Sequence, residues 1–381
     1  MSGGERSSFG RQHSEIPWQC QRFAANPGKT PMLTDPPPSP WWASDRHADR
    51  RPFLQTRAAL ARALRAWFTA AGFTEVETGI LQVSPGNETH LHAAAASLTS
   101  PSGRRLTRYF RTSPEFACKK LLAAGEERIV EFARVFRDRE GGDLHLPEFT
   151  MLEWYRAGAP YDEVIADTVA VIAEAARTAG TRLFSFRGRI ADPGADPERL
   201  TVAEAFDRFA GIDLLATVPG GDPDRAALAA QAARWVRVAD DDSWSDLFSK
   251  ILVAQVEPNL GQGRVTVLCD YPAPEAALAR AKPSDRRVAE RFEVYACGVE
   301  LANGFAELTD AAEQRARFVQ AMDEKELRYG ERYPLDEDFL AALAHMPPAS
   351  GVALGFDRLV MLVSGATRIG QVAWTPPDVD A

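Results

Sequence analysis

Hydrophobic residues recur with two different periods along the chain, and together these periods predict a mixed α+β fold. Apolar residues at helical spacing begin in residues 46–71, where Arg57, Arg62 and Arg65 are expected on the exposed face. A short strand-like segment follows at residues 73–78. The same helical spacing predicts further helices at residues 116–124, 162–178, 202–209, 228–236, 244–256, 311–329 and 339–344. Residues 162–257 are therefore expected to form a helical insertion or flank.

A β-hairpin is predicted in the middle of the chain. Two β-favouring segments, residues 129–137 and 148–156, flank a loop that contains Gly141 and Gly142. Because side chains alternate faces along a strand, one face of the second segment carries Phe149, Met151, Glu153 and Tyr155. This row could form a platform for a small molecule, although an ordinary half-buried strand has the same alternation.

Residues 291–307 predict a second hairpin, which contains three carboxylates in an otherwise apolar stretch. A buried charge without a partner is costly, and such carboxylates commonly hold Mg²⁺ on a phosphate or face an ammonium group. Strand alternation puts Asn303 and Glu307 on one face but Glu300 on the other. A bulge or a twist would be needed to bring them together.

A glycine-containing strand passes directly into an apolar helix at residues 350–362. Arg358 falls in the first turn of that helix, where the macrodipole disfavours a cation. This position predicts that Arg358 serves an anionic or aromatic ligand. The alternative is a surface arginine that pairs with Asp357.

Polar residues before the first hairpin leave two alternatives open. Glu115 lies in the first turn of the helix predicted at residues 116–124, where it either compensates the helix dipole or takes part in function. His90 and His92 could share a strand face and bind a metal. Without a third ligand nearby, loop or hydrogen-bonding roles fit these histidines better.

Composition narrows the function classes. The net charge of -9 argues against a sequence-independent nucleic-acid binder with a basic surface. The four cysteines form no C-x-x-C pair, which favours reduced thiols over a zinc site or disulfides. No apolar run reaches the length of a membrane span and no signal peptide is present, so a soluble, cytoplasmic protein is expected. Residues 1–45 are rich in Gly, Ser, Pro and Arg and are expected to be a poorly ordered extension preceding the main domain, residues 46–381.

Several long stretches resemble the signature regions of class II aminoacyl-tRNA synthetases, and specifically the lysyl branch. These stretches read T-S-P-E (112–115), P-E-F-T-M-L-E-W-Y (147–155), R-F-E-V-Y (291–295), G-V-E-L-A-N-G-F (298–305) and G-V-A-L-G-F-D-R-L (351–359). The similarity covers roughly residues 50–374, and residues 57–78 resemble the dimer-forming motif only weakly. It implies an antiparallel β-sheet flanked by helices. About 45 residues precede the similar region, too few for an anticodon-binding OB-fold. The chain therefore resembles the truncated paralogues that modify elongation factor P.

The resemblance also implies the roles of individual residues. Arg137 would bind the α-phosphate of ATP, and Phe149 and Arg358 would stack on opposite faces of adenine. Glu140 and His145 would complete the ATP site. Glu293 and Glu300 would hold Mg²⁺ on the triphosphate. The lysine-like substrate would be surrounded by Ser113, Glu115, Glu153, Tyr155, Asn303, Glu307 and Ala353. Of these residues, Arg137, Glu300 and Arg358 would be catalytic.

Three positions depart from the family pattern. The glutamate of the F-R-x-E core is one residue late, at Glu140. Leu146 stands where an asparagine usually follows the histidine, and Gly79 replaces a proline in the segment linked to dimer formation. Lysyl-tRNA synthetases typically have glycine at the position of Ala353, so its methyl group would reshape the amino-acid pocket.

The function implied by the resemblance is ATP-dependent activation of (R)-β-lysine or lysine as an aminoacyl-adenylate. The activated residue would then be transferred to a lysine ε-amino group of elongation factor P. A homodimer without stable tRNA binding is expected. Three alternatives remain open: a minimal enzyme that charges tRNA, a non-catalytic regulatory protein with the same fold, and an enzyme that passes the adenylate to another carrier.

Overall fold

The computed structural model describes residues 40–376, which contain nine α-helices and fifteen strands. The helices are α1 (Ser44–Ala70), α2 (Glu115–Ala123), α3 (Tyr161–Ala179), α4 (Val202–Ala210), α5 (Arg225–Ala232), α6 (Trp244–Ile251), α7 (Ala311–Tyr329), α8 (Glu337–Leu343) and α9 (Phe356–Ser364). The strands are β1 (Thr74–Glu75), β2 (Leu81–Gln82), β3 (Ala95–Thr99), β4 (Arg105–Phe110), β5 (Arg128–Phe136), β6 (Glu148–Ala157), β7 (Phe184–Phe186), β8 (Arg189–Asp192), β9 (Glu198–Thr201), β10 (Gly263–Arg264), β11 (Thr266–Pro272), β12 (Ala281–Lys282), β13 (Asp285–Ala296), β14 (Val299–Ala306) and β15 (Ala349–Gly355). Most of the extension expected at residues 1–45 lies outside the described residues.

A mixed nine-stranded sheet forms the centre of the described chain. Its strands follow the order β1-β5-β6-β15-β14-β13-β11-β9, and β12 pairs beside β13. The inner strands are antiparallel, whereas β1 with β5 and β9 with β11 are parallel. Two three-stranded sheets, β2-β4-β3 and β10-β8-β7, accompany it. The expected α+β fold, a largely antiparallel sheet flanked by helices, is confirmed.

Helix α1 packs against α3 and α9 through the apolar stripe that its sequence predicts. The expectation that Arg57 lies on the exposed face is wrong, because only 9% of this residue is accessible. Arg57 precedes Leu60 by three residues and therefore shares its face of the helix. Its guanidinium reaches Asp357 and Thr150, so the buried charge is paired. Arg62 and Arg65 are exposed as expected.

Residues 162–257 contain the expected helices but also short strands. Helices α4 and α6 each begin with a capping box, and the rings of Phe206 and Trp244 stack on Phe248 at 5.1 and 5.4 Å. The helix predicted to reach residue 256 continues past α6 as a π-helical turn. Strands β7, β8 and β9 were not expected. Two of them pair with β10 and β11, more than 60 residues away, and such pairing leaves little local pattern.

Two general expectations concern the whole described segment. Cys118, Cys269 and Cys297 are buried free thiols, which agrees with the reduced cysteines expected from the sequence. No helix within residues 40–376 combines the length and apolar character needed to cross a bilayer.

Candidate active site

Two adjacent rows of side chains cross one face of the nine-stranded sheet. Paired residues on neighbouring antiparallel strands point to the same side of a sheet. The first row, from β5 to β13, consists of Glu131, Glu153, Ala353, Asn303 and Glu293. The second row, two residues along each strand, consists of Ile129, Tyr155, Gly351, Phe305 and Arg291. The register therefore brings residues from three separate sequence motifs onto one surface.

A buried acidic pocket lies over these rows. Ser113 donates a hydrogen bond of 2.8 Å to one carboxylate oxygen of Glu153, and the hydroxyl of Tyr155 donates to the other. The backbone N–H of Glu115 donates to the Ser113 hydroxyl at 3.0 Å, which ties the start of α2 to the pocket. Glu307 follows the end of β14, and its side chain is fully buried. Five of the seven residues expected around the amino acid thus lie together, and the other two, Ala353 and Asn303, follow Glu153 in the first row.

The pocket also contains a cation that the sequence reading missed. Lys119 Nζ lies 2.5 Å from Glu115 Oε1 and 2.5 Å from Glu307 Oε2, and the lysine side chain is 1% exposed. Burial alone would lower the pKa of Lys119, but the two carboxylates outweigh it and raise the pKa above its ordinary value. Lys119 is therefore a permanent positive charge inside an acidic pocket.

The carboxylates of this pocket have unusual proton affinities. Burial, together with the charge of Glu115, raises the pKa of Glu153 to about 8. Burial also raises the pKa of Glu307, although Lys119 opposes this shift. An ammonium group placed among these carboxylates would favour their ionised forms. The pocket is consequently suited to a cationic ligand.

Gly351 allows Tyr155 and Glu307 to approach the strand that carries it. A Cβ atom at this position would lie 2.3 Å from Tyr155 Cε1 and 2.7 Å from Glu307 Oε1. Both distances are far inside van der Waals contact, so any side chain larger than hydrogen would displace the ring and the carboxylate. Gly351 thus shapes the floor of the pocket, a role that the glycine-containing strand indicated only in general terms.

The bulge that the second hairpin required is present. Pairing between β13 and β14 passes from Val294 opposite Ala302 directly to Tyr295 opposite Glu300, so one residue of β14 is skipped. Glu300 is thereby turned to the face that carries Glu293. The charge of Glu300 adds to the effect of burial and raises the pKa of Glu293.

The surroundings of Glu293 and Glu300 fit a divalent cation. Arg291 donates to Glu293 at 2.8 Å, and the hydroxyl of Tyr295 donates to its other oxygen at 2.6 Å. The Glu300 side chain remains 38% exposed and can turn toward a ligand. Neighbouring carboxylate oxygens are the ligands that Mg²⁺ prefers. Among residues 40–376, however, no cluster of three or more potential metal ligands is preformed, so a metal here would need oxygens from a bound phosphate.

Arg358 joins two halves of the site. Its guanidinium donates to the Glu300 carbonyl at 2.9 Å and contacts the Glu300 carboxylate at 3.3 Å. It also lies 2.6 Å from His145 Nε2, on the loop between β5 and β6. The alternative pairing of Arg358 with Asp357 does not occur, because Asp357 is buried against Arg57.

Arg137, His145 and Phe149 lie close together at the other end of the site. Burial and the charges of Arg358 and Arg137 lower the pKa of His145 to about 4, so its ring is neutral and can accept a hydrogen bond. The Arg137 guanidinium lies 5.3 Å from the centre of the Phe149 ring. Two guanidinium groups and an aromatic face therefore converge beside the β5–β6 loop.

The late glutamate of this loop returns toward Arg137. Arg139 has a φ of 64°, a left-handed conformation that reverses the chain locally. Glu140 then lies 3.7 Å from the Arg137 guanidinium. Leu146, which replaces the usual asparagine, is 3% exposed and packs in the main hydrophobic core instead of the site.

The two histidines considered as metal ligands bind protein groups. His90 Nδ1 lies 2.8 Å from the Tyr329 hydroxyl, and His92 Nδ1 lies 2.8 Å from Glu331 Oε2. These contacts support the hydrogen-bonding alternative.

Four residues of the site were not identified from the sequence: Lys119, Arg291, Tyr295 and Glu257. Lys119 carries a usable signal, because it follows Glu115 by four residues on a helix. Arg291 and Tyr295 share the strand face of Glu293 and could have been found by alternation. Glu257 had no such signal. Burial and the charges of Glu293 and Glu300 raise its pKa to about 7, although it lies more than 30 residues away in sequence.

The fold and the site define a class of enzyme. The family model described as tRNA synthetases class II (D, K and N) matches residues 41–378. The chain belongs to this family and is a ligase of the ATP-dependent, class II synthetase type.

Several proteins of known name within this family are similar to the chain over most of their length. The chain is 39% identical to an elongation factor P–(R)-β-lysine ligase from Klebsiella pneumoniae over 326 residues, 84% of this chain and 94% of the relative. Proteins with the same name from Mannheimia succiniciproducens and Haemophilus influenzae are each 38% identical, over 84% of this chain and 93% of the relative.

Proposed function

We propose that this protein activates (R)-β-lysine, or lysine, with ATP and transfers it to a lysine ε-amino group of elongation factor P. One observation carries the proposal. The acidic pocket around Glu153 and Glu307 continues along the same sheet face into the arginine and carboxylate groups around Arg358 and Glu300. An amino acid with two ammonium groups and a nucleoside triphosphate can therefore meet on one surface.

ATP would bind at the arginine end of this surface. Phe149 and Arg358 would hold the adenine ring between an aromatic face and a guanidinium plane. Arg137 would contact the α-phosphate, where negative charge accumulates during attack. The neutral His145 accepts a hydrogen bond from Arg358 and keeps that guanidinium oriented. Glu293 and Glu300 would hold Mg²⁺, which when bound neutralises charge on the triphosphate.

The amino acid would bind at the acidic end. Its two ammonium groups would be shared among Glu115, Glu153 and Glu307, while Tyr155 and Ser113 keep Glu153 oriented. The substrate carboxylate would then attack the α-phosphorus, and the bond to pyrophosphate would break. In the second step, an ε-amino nitrogen of the acceptor attacks the adenylate carbonyl. An amide forms, one proton is lost from that nitrogen, and AMP leaves.

The charge of the protein bears on which acceptor it uses. The net charge of -9 supports a protein acceptor over stable binding of tRNA. The reaction would be cytoplasmic, where a translation factor and ATP are available.

We also propose a homodimer. It is supported by apolar side chains on and beside the β2-β4-β3 sheet that are 37–42% exposed: Ile80, Leu81, Val83 and Leu98. Light scattering should give twice the chain mass of 41.7 kDa.

The deciding experiment is intact-mass analysis of elongation factor P after incubation with this protein, ATP and (R)-β-lysine. A tRNA-charging reaction runs in parallel. A mass gain of one lysyl unit on the factor, with uncharged tRNA, is expected. Charged tRNA with an unmodified factor would make the protein a minimal synthetase. Pyrophosphate exchange without either product would point to another acceptor, and no exchange would favour a non-catalytic role.

The proposed metal role can be tested separately by Glu300→Ala. This variant should abolish ATP–pyrophosphate exchange, since it removes one of two carboxylates assigned to the metal. Glu290→Ala is a matched control on β13, because Glu290 pairs with Arg280 outside the site. Exchange by Glu300→Ala at the rate of the control would contradict the metal assignment.

A further inference from the structure

Lys119 places a buried ammonium group between two carboxylates of the acidic pocket. Its Nζ bridges Glu115 and Glu307 at 2.5 Å each, and it lies 5.2 Å from the centre of the Phe305 ring. The side chain is 1% exposed, so its ammonium group is shielded from bulk water. Helix α2 carries both Glu115 and Lys119, which are four residues apart and face the same side, and Ser113 precedes the helix by two residues.

The charges in the pocket can be counted. Glu115, Glu153 and Glu307 supply three negative charges when ionised. A fourth carboxylate, Glu131, is already paired with the Arg111 guanidinium at 2.8 Å. Lys119 supplies one positive charge, so two negative charges remain for a ligand. That number equals the two ammonium groups of a diamino acid.

The second oxygen of Glu307 points to the same conclusion. Lys119 forms an ion pair with Oε2, but neither oxygen of Glu307 accepts a hydrogen bond of normal geometry from any residue in the described part of the chain. Oε1 is the oxygen that lies against Gly351, where a Cβ atom would approach it to 2.7 Å. A buried carboxylate oxygen without a donor is costly unless a ligand supplies one.

We propose that Lys119 is a positioning residue that fixes Glu307 and Glu115 and leaves two negative charges, so that the pocket selects amino acids with two ammonium groups. This inference rests on the proposed function and deepens it. Lys119 holds one oxygen of Glu307 so that the other faces the substrate. It also neutralises one carboxylate, so that a ligand with two ammonium groups balances the other two when all three are ionised.

Other groups around this ion pair bear on its pH dependence. Those that face it are Glu115 and Cys118 from α2, Glu131 from β5, Glu153 and Tyr155 from β6, and Arg111 from the loop before α2. The pKa values of Cys118 and Tyr155 are raised well above their ordinary values by burial, so both stay neutral near pH 7. The carboxylates are therefore the groups whose protonation should change when Lys119 is substituted.

The test compares Lys119→Met with Lys119→Arg and with Lys120→Met in ATP–pyrophosphate exchange. Lys120 is a matched control, because it pairs with Asp336 and Asp338 away from the pocket. Lys119→Met should raise the KM for (R)-β-lysine about tenfold and leave the KM for ATP unchanged. Its pH profile should move about one unit to higher pH, because the carboxylates lose a neighbouring cation. Lys119→Arg should keep the wild-type pH profile.

A purely structural role for Lys119 would give a different result. Lys119→Met would then lower the melting temperature and the active fraction without moving the pH profile, and this outcome would overturn the proposal. If Lys119→Met does not fold, the double variant Lys119→Met with Glu307→Gln removes both charges of the fully buried pair, and only Glu115, whose side chain is 15% exposed, loses its partner. Its KM for (R)-β-lysine should still rise about tenfold, since the held carboxylate is gone. A wild-type KM in the double variant would contradict the inference.

The wild-type protein separates this inference from the proposed function. No exchange by the wild type with (R)-β-lysine or lysine would overturn both. Exchange by the wild type, together with variants that behave like Lys120→Met, would overturn the role of Lys119 alone.

Discussion

Arg57 and Asp357 form a buried ion pair that connects the first described helix with the last one. Arg57 Nη1 lies 2.5 Å from Asp357 Oδ1, and the two side chains are 10% and 2% exposed. The same guanidinium donates to Thr150 on β6 at 2.8 Å. Asp357 directly precedes Arg358, so the pair fixes the turn from which Arg358 enters the proposed ATP site.

Removal of this pair should affect both stability and ATP binding. Arg57→Met leaves the Asp357 carboxylate buried without its partner, which should lower the free energy of unfolding by about 3–5 kcal/mol. Denaturant titration measures the loss, and pyrophosphate exchange should show a higher KM for ATP. Arg62→Met, on the exposed face of the same helix, should change stability by less than about 0.5 kcal/mol. Equal stability of the two variants would contradict this account.

Gly351 offers a second test, at the floor of the acidic pocket. Gly351→Ala places a methyl group against Tyr155 and Glu307 at distances that neither can accept. The KM for the amino acid should rise, and the free energy of unfolding should fall by about 1–3 kcal/mol. Gly79→Ala is the control, because a Cβ atom there has no neighbour within 4 Å. An unchanged KM in Gly351→Ala would show that the pocket does not hold the substrate.

Ala353 should influence which lysine isomer is preferred. It lies between Glu153 and Asn303 in the sheet and packs against the small apolar cluster that contains Met151. Lysyl-tRNA synthetases typically have glycine at this position, so Ala353→Gly should shift preference from (R)-β-lysine toward α-lysine. One methyl group is worth about 1–3 kcal/mol, or roughly 10–200-fold. The measurement is the ratio of kcat/KM for the two isomers in exchange, with the KM for ATP as an internal control.

Much of this site could be predicted from the sequence, because side chains alternate between the two faces of a strand. The alternation in residues 148–156 put Phe149, Glu153 and Tyr155 together, and their strand indeed pairs as one half of a hairpin. The charged helix at residues 311–329 has the bounds that its pattern predicts. Arg358 was identified because the helix dipole disfavours a cation in a first helical turn. It contacts Glu300 and His145, and its role toward a ligand stays a prediction.

The other features of the site depend on contacts between residues that are distant in sequence, and a local sequence pattern does not contain these contacts. The need for a bulge near Glu300 followed from parity, but its place between Ala302 and Glu300 is set by pairing with β13. Arg57 looked like a surface residue because its partner is 300 positions away. Lys119 lies beside a predicted substrate residue, yet only the fold shows that Glu307 completes its contacts.

The pH dependence of substrate binding follows from Glu153. Burial and Glu115 raise the pKa of Glu153 to about 8 in the free protein, so the group is largely protonated at neutral pH. A diammonium substrate binds the ionised form better, and its KM should therefore fall as the pH rises from about 6.5 to 8.5. Substrate binding should thus improve as the pH rises, whereas the free energy of unfolding of the free protein should decrease. Glu153 favours folding most below its ordinary pKa, and that contribution is lost as the pH rises through about 8.

Two measurements check this prediction. Exchange rates across the pH range should give a KM for (R)-β-lysine that declines toward pH 8.5, whereas the KM for ATP should show no histidine step, because the pKa of His145 is about 4. Calorimetry near neutral pH, in buffers with different ionisation enthalpies, should show protons released when the amino acid binds. Glu153→Gln cannot ionise and should flatten the profile and raise the KM. If the KM for the wild type is constant across this range, Glu153 is not the group that receives the substrate ammonium.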